Sequence, residues 1–225
     1  MALVICGDVD EKEVLRVVDD NLSGVDKKAQ PTLCSFTYDR AVDKSYIEQI
    51  MPVSQSLLEI GIKDKKPSEN AKERLSRDVA MTILDEMIFS RAGELYNTLF
   101  EGGFINESYS YGYSITKEVA FHSIYAESDT PQLIFDKIKE QIAKIKRNGL
   151  CERDFIRCKR VMMAEFLRDF DSVDDIANSL LNIYFDGSNI FEYRKIIEGV
   201  TFSDVCVCLE NYFDDKRFAL SVIKN

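Results

Sequence analysis

The side chains that most readily do chemistry are scarce in this sequence. There is one histidine, His122, and the six cysteines are Cys6, Cys34, Cys151, Cys158, Cys206 and Cys208. No two cysteines have the C-x-x-C spacing of a zinc-ligand pair, and no nucleophile–base pair can be recognised. We therefore predict that this chain has no catalytic residue, no metal site and no cofactor of its own.

The composition is that of a folded globular protein. Of the 225 residues, 45% are hydrophobic and 30% are charged, and 29 Lys and Arg against 39 Asp and Glu give a net charge of −10. This acidic excess argues against a nucleic-acid partner and against binding to anionic membranes. No apolar run approaches the roughly 18 residues of a membrane span. The cysteines are interpreted as buried, reduced thiols, which predicts a cytoplasmic protein.

Hydrophobic periodicity predicts an α+β fold in a single domain of residues 1–225. The predicted strands are Ala2–Cys6, Ser45–Met51, Gln55–Ile62, Asn106–Ile115, Val119–Glu127 and Arg217–Ile223, with at most one more at Leu33–Tyr38. One helix is predicted after Asp10, a long one after a Ser68 cap, and four between Thr130 and the last strand. This order predicts a mostly antiparallel sheet with helices packed on one face.

A tyrosine-rich hairpin surrounds the single histidine. Its first strand alternates strictly, with Tyr109, Tyr111, Tyr113 and Ile115 on one side. A two-residue turn at Thr116-Lys117 would place Tyr111 opposite His122. His122 is therefore interpreted as a strand residue beside an aromatic ring rather than as a catalytic base.

Three local patterns, in this order, resemble the insulinase/pitrilysin-like zinc metallopeptidases, the family that includes the mitochondrial processing peptidase. Ala2–Asp10 is similar to the family's strand-Gly-Asp-helix unit. Gly93–Leu99 followed by Gly103–Tyr109 is similar to the junction that enters its central hairpin. Ser172–Ser179 resembles a helix start in bacterial members. The resemblance implies the LuxS/MPP-like metallohydrolase fold.

Members of that family consist of two related halves that close around an unfolded peptide. The first half binds zinc through an inverted His-x-x-Glu-His helix and a downstream glutamate. With one histidine and no such helix, this chain looks like the second, non-metal half. The resemblance implies that zinc is bound in a missing N-terminal half and that the full-length protein is a zinc metalloendopeptidase. The strand-helix unit at residues 1–30 is open to assignment to that preceding half.

Second halves of active relatives supply an arginine and a tyrosine that reach the substrate carbonyl near zinc. By resemblance, Phe100 stands at the arginine position, and the tyrosine position falls near Tyr109. Tyr109 and Tyr111 are therefore the candidates for contact with substrate. Packing of this tyrosine stripe into the core is the alternative interpretation.

Two functions remain open at this point. The first is a non-catalytic half that walls the chamber of a zinc metallopeptidase and contacts extended peptide. The alternative is a peptidase-derived interaction or assembly subunit without hydrolytic activity. An intact His-x-x-Glu-His motif upstream would favour the metallopeptidase half, and its absence would favour the interaction subunit. Because the first strand begins immediately after Met1, we expect the chain to be a fragment that either places this strand beside the last one or self-associates.

Overall fold

The computed structural model describes residues 2–25 and 41–225, and within these ranges it contains five strands and eight α-helices. The strands are β1 (Tyr46–Ile50), β2 (Leu57–Lys63), β3 (Ser110–Ile115), β4 (Ala120–Glu127) and β5 (Phe218–Lys224). The helices are α1 (Glu11–Leu22), α2 (Ala71–Phe89), α3 (Glu94–Glu101), α4 (Pro131–Asn148), α5 (Glu152–Arg168), α6 (Val173–Phe185), α7 (Ile190–Gly199) and α8 (Phe202–Tyr212). The predicted α+β class is confirmed.

All five strands belong to one sheet in the order β1-β5-β2-β4-β3. The pairs β5–β2, β2–β4 and β4–β3 are antiparallel, and β1 runs parallel to β5. The sheet is therefore mixed but mostly antiparallel, as predicted. Alternate residues of β2, β4 and β5 are buried, which is the pattern of a sheet with one face against a core.

Helix α2 is the central element of the helical layer. It contacts β3 and the helices α5, α7 and α8. Leu75, Val79 and Ile83, which recur at intervals of four residues, are buried along one side of it. Ala80, Met81, Leu84 and Asp85 are also buried, so the helix is enclosed on more than the one side that a single stripe would bury.

The predicted strand at Ala2–Cys6 is wrong for the described chain. These residues have no strand pairing, and Leu3 and Ile5 are 65% and 45% exposed. A β-strand needs a hydrogen-bonded neighbour, and β5 already has β1 on one side and β2 on the other. The segment therefore does not lie beside the last strand, and the predicted strand at Leu33–Tyr38 falls outside the described residues.

Several helix ends differ from the prediction. The cap of α2 is Asn70 rather than Ser68, because the Asn70 side chain accepts hydrogen bonds from the backbone N–H groups of Lys72 and Glu73. Helices α3 and α7 were not predicted, and five helices rather than four lie between the hairpin and β5. Asn189 caps α7 by accepting from the N–H of Glu192.

The hairpin of β3 and β4 has a different register from the predicted one. Tyr113, not Tyr111, lies opposite His122. The two-residue turn is Lys117-Glu118, closed by a 2.8 Å hydrogen bond from the Thr116 N–H to the Val119 carbonyl. Moving the turn by one residue shifts the pairing by two, so every side chain keeps its predicted face.

Candidate functional site

Among the described residues, no helix covers one face of the sheet in the way that the helical layer covers the other. We call it the open face: the residues of β2–β5 that alternate with the buried or helix-facing ones, together with Ile47 and Gln49 of β1. Glu59, Ser110 and Ser221 are exposed on it, and Phe121 is 38% exposed. In the described part of the chain, this face is therefore a surface of the sheet that a further polypeptide could cover.

A row of small residues crosses the open face. The register aligns Gly112 with Ser123, Ser123 with Gly61, and Gly61 with Ala219. A Cβ atom added at Gly61 or Gly112 would meet nothing within 4 Å. The backbone of the sheet is therefore approachable along this row, while Phe121 and Tyr125 lie to either side of Ser123 on β4.

The open face has a cavity at one end. Its volume is 580 Å³, and it lies where residues 41–44 approach the adjacent ends of β2 and β5. Ile47, Gly61 and Phe121 contribute to its wall, and Arg217 lines it as well. The cavity thus continues the small-residue row into a pocket with apolar walls.

The two tyrosines predicted to contact substrate point away from the open face. Tyr109 is 5% exposed, and its ring packs against the rings of Tyr96 and Tyr111. The Tyr111 hydroxyl donates a 2.6 Å hydrogen bond to Glu86 of α2. Burial raises the pKa of both phenols, with Glu86 adding to the effect at Tyr111. Their positions fit core packing, and contact with substrate stays a prediction.

Phe100 lies near Tyr109 but on the surface. Its ring is 47% exposed at the end of α3 and stacks on Tyr96 with ring centroids 5.5 Å apart. The two residues singled out by the resemblance, Phe100 and Tyr109, therefore share one neighbour, Tyr96, across the α3–β3 junction.

His122 has a carboxylate partner that the sequence did not reveal. The ring is 1% exposed, and its Nδ1 lies 2.9 and 3.0 Å from the two carboxylate oxygens of Asp85 on α2. The rings of Tyr113 and Phe213 each have their centroids 4.8 Å from that of His122. Burial raises the pKa of Asp85, and His122 opposes that shift. The interpretation of His122 as a strand residue beside an aromatic ring is confirmed.

A second buried network lies beside this pair. The Tyr113 hydroxyl donates a 2.5 Å hydrogen bond to Asp64, and the Arg77 guanidinium donates to the same carboxylate. Arg77 also stacks over the ring of Tyr212, 4.5 Å from its centroid. Burial raises the pKa of Tyr113, and the charge of Asp64 adds to the rise. These contacts join the ends of β2, β3 and α8 to α2.

Neither network is exposed on the open face. Each joins side chains that belong to different helices and strands. His122 Nε2 is buried and has no hydrogen-bond partner among the described residues. A catalytic base needs a reacting group within hydrogen-bond reach. His122 instead lies between two aromatic rings where the sheet packs on the helical layer, so the arrangement is structural.

The described residues contain no group of three or more His, Cys, Asp or Glu side chains placed to hold a metal ion. The five described cysteines are free. Burial raises the pKa of Cys158 to about 11 and that of Cys208 to about 12. Cys151 is exposed, so the prediction of buried thiols is wrong at that position.

The segment before residue 25 presents apolar side chains to solvent. Helix α1 is capped by Asp10, whose carboxylate accepts a 2.9 Å hydrogen bond from the Glu13 N–H, and none of its residues is buried. Leu15 is 54% exposed and Leu22 is 49% exposed. A helix whose apolar side is exposed in the described part of the chain is typical of an element that packs on another body.

Comparison with known proteins assigns the architecture. Residues 1–162 match the family described as the Peptidase M16 inactive domain. The chain belongs to this family. The predicted resemblance is thereby confirmed, and the family is the non-catalytic half of zinc peptidases.

Relatives of this inactive domain are about twice as long. The uncharacterized zinc protease YmfH of Bacillus subtilis (strain 168) is 25% identical over 208 residues, which are 91% of this chain and 48% of that protein. An M16-like peptidase of Alicyclobacillus acidocaldarius has a TM-score of 0.84 at 17% identity, covering 97% of this chain and 52% of that one. A protease of Helicobacter pylori has a TM-score of 0.77 at 14% identity, covering 98% and 54%.

In the described part of this inactive domain, no helix is both long enough and apolar enough to span a bilayer.

Proposed function

We propose that this inactive domain forms one wall of the peptide chamber of a larger zinc metallopeptidase and holds extended peptide against the open face of its sheet. The observation that carries the proposal is the open face itself. It is a sheet surface of which one row is built from Gly112, Ser123, Gly61 and Ala219, so that another backbone can approach closely. A flat, partly apolar surface of this kind suits an extended chain of varied sequence.

The catalytic zinc of the complete enzyme would be bound by the half that precedes this one. The family is an inactive domain, and the relative from Bacillus subtilis, of which this chain spans 48%, carries the name zinc protease. In this proposal, the present chain contributes surface and orientation rather than metal ligands. The assignment of Tyr109 and Tyr111 as substrate contacts is not needed for it.

The unit at residues 1–30, which contains α1, is proposed to pack on that preceding half. Support comes from Leu3, Ile5 and the apolar side of α1, which are exposed in the described chain. Burial of apolar surface stabilises contacts by about 25 cal/mol per Å². The exposed side of this unit therefore favours a partner, and the preceding half lies next to it in sequence.

A cytoplasmic location is part of the same proposal. It is supported by the free state of the five described cysteines, which no disulfide joins. Titration of thiols in the denatured, unreduced protein should count all six cysteines. A count of four or fewer would contradict this location.

The proposed contact surface can be tested by NMR on this chain. A capped, unstructured decapeptide should shift backbone amide resonances of open-face residues in β2, β4 and β5. Ser221→Arg, which places a bulky charge on the open face, should weaken binding by about fivefold or more through loss of close approach. Ser203→Arg on α8 is the matched control, because Ser203 is also exposed but lies outside the sheet.

Shifts confined to the helical layer, or equal effects of the two arginine substitutions, would contradict the proposal. The alternative of an assembly subunit without hydrolytic activity is not favoured, because a relative that is 25% identical to this chain carries the name zinc protease.

A further inference from the structure

The cavity at the end of the open face has a charge opposite to that of the molecule. Its basic residues are Lys44, Lys63 and Arg217, and Asp43 is the acidic residue that lines it. The whole chain carries a net charge of −10. A basic pocket on an acidic protein concentrates anionic groups and repels cationic ones.

Among the described residues, Arg217 has only a long ion pair with a carboxylate. Its side chain is 13% exposed, and its nearest recorded carboxylate oxygen, on Asp214, lies 4.0 Å from Nε. Nη1 is buried and has no hydrogen-bond partner among the described residues. Buried donors are nearly always paired in folded proteins, and an unpaired one costs free energy. The guanidinium therefore gains when it turns toward an arriving acceptor.

The other basic side chains contribute long-range charge rather than a free donor. Lys63 Nζ donates a 3.2 Å hydrogen bond to the Ala41 carbonyl and so closes one side of the cavity. Lys44 lines the same side. Their charges add to that of Arg217 within a space whose remaining walls are mostly apolar.

The walls limit the kind of anion that fits. Val42, Ile47, Phe121 and Ala219 surround a volume of 580 Å³, which is far more than a small inorganic ion needs. An acidic side chain has an aliphatic stem to place against such walls and a planar carboxylate that matches a guanidinium. Since Gly61 belongs to both the cavity and the small-residue row, a peptide on the open face can enter the cavity with one side chain.

We infer that this cavity is a subsite for an acidic side chain, glutamate or aspartate, of an extended peptide bound on the open face, with Arg217 as the residue that selects it. The inference rests on the proposed function, since it needs a peptide on that face. It adds a preference: a peptide with an acidic residue at this point binds better than its neutral amide counterpart.

The test compares capped decapeptides that differ only in one central residue, glutamate or glutamine, by fluorescence anisotropy with this chain. We expect the glutamate peptide to bind about tenfold more tightly, the effect of one charge-assisted hydrogen bond in a partly enclosed site. Arg217→Gln should remove the preference, and Arg217→Lys should retain part of it. A third peptide has a free C-terminal carboxylate and no acidic side chain. It shows whether the cavity prefers a side-chain carboxylate or a C-terminal one.

A steric variant tests the cavity without changing charge. Gly61→Val places a β-branched residue, which suits a strand, where a Cβ atom meets nothing within 4 Å. It should weaken the glutamate peptide selectively by filling the cavity. Gly112→Val is the matched control: Gly112 is in the same row of the open face but does not line the cavity, so this change should weaken the glutamate and glutamine peptides alike.

The results that would contradict the acidic subsite differ from those that would contradict the proposed function. Binding of both peptides with equal affinity overturns the acidic subsite and leaves the open-face proposal standing. A preference that survives both Arg217→Gln and Gly61→Val, or tighter binding of the C-terminal carboxylate peptide, also overturns it. Failure of every peptide to bind overturns both. If Arg217→Gln fails to fold, Arg217→Lys and Gly61→Val still decide.

Discussion

The Asp85–His122 pair is buried between α2 and β4, where removal of either partner leaves the other without its hydrogen-bond partner. The two side chains are 3% and 1% exposed. A buried, hydrogen-bonded pair of titratable groups gains little over a well-packed apolar pair, but removing one partner is strongly destabilising. We therefore expect the contribution of this pair to stability to appear when one residue is substituted, and to be largely absent when both are replaced together.

We expect His122→Ala to lower the free energy of unfolding by about 3–5 kcal/mol, because it leaves Asp85 buried alone and removes a ring between Tyr113 and Phe213. The double substitution Asp85→Leu with His122→Phe should recover most of that loss. Urea unfolding followed by circular dichroism measures both. A loss below about 1 kcal/mol for His122→Ala would show that the pair is not a structural lock.

Asp78 on α2 predicts a pH dependence of stability. Burial raises its pKa to about 7, and the charges of Asp186 and Asp85 add to the rise. An unfolded aspartate loses its proton near pH 4. Between about pH 4 and pH 7 the folded state therefore binds the extra proton, and the contribution of Asp78 to stability falls as pH rises.

Asp78→Asn should remove that decline. Between about pH 5 and pH 8, the variant should gain roughly 1–4 kcal/mol relative to the native chain. Urea midpoints at the two pH values give the difference, and Asp19→Asn, on exposed α1, controls for the change in net charge. Parallel pH profiles for the native chain and Asp78→Asn would contradict the raised pKa.

For single residues, the sequence predicted which side of a strand a side chain occupies better than it predicted which other side chains it contacts. Strict alternation was enough to place Tyr109, Tyr111 and Tyr113 on one side of β3. Asp85 is separated from His122 by 37 positions, and no local spacing connects a helix residue with a strand residue. The cavity with Arg217 was missed for the same reason, because its wall is assembled from residues 41–44 and four separate strands.

Among the elements, the junction between α3 and β3 depends on two consecutive glycines. Gly103 has a φ of 68°, a conformation that L side chains rarely adopt. A Cβ atom at Gly102 would lie 2.4 Å from Cε2 of Phe104. The backbone here turns from a helix that carries Phe100 into the strand that carries Tyr111.

Gly103→Ala should destabilise the chain by about 1–2 kcal/mol through backbone strain alone. Gly112→Ala is the control, since it adds the same methyl group on the open face without a contact, and it should change stability by less than about 0.5 kcal/mol. Thermal unfolding of the three proteins compares them. Equal midpoints would show that the junction tolerates a side chain at Gly103.

Element type and order were largely predictable from periodicity, and element ends were not. The turn of the hairpin lies at Lys117-Glu118 because Thr116 and Val119 are joined by a backbone hydrogen bond, and both placements of the turn fit the same alternation. Helices α3 and α7 were missed because Gly93 and Asn189, which precede them, are also typical loop residues. The segment Ala2–Cys6 has the composition of a strand. Periodicity does not show, however, whether another strand is available to pair with it.

For the whole molecule, exposed apolar surface at residues 2–25 and on the edge strand β1 predicts self-association. Ile47 and Ile50 of β1 are 50% and 74% exposed. Light scattering coupled to gel filtration at tens of micromolar should show a dimer that dissociates on dilution. Leu15→Glu on α1 should weaken it, whereas Arg16→Glu, a neighbouring exposed polar residue, should not. A monodisperse monomer at every concentration would contradict the prediction.

The central claim is that this inactive domain holds peptide without cleaving it. Mass spectrometry of a defined peptide mixture, incubated with the purified chain in added zinc and separately with a chelator, tests it most directly. We predict that a subset of peptides is retained by the chain and recovered intact in both conditions. Fragments that form with zinc and disappear with the chelator would contradict the account, because the chain would then be a peptidase by itself.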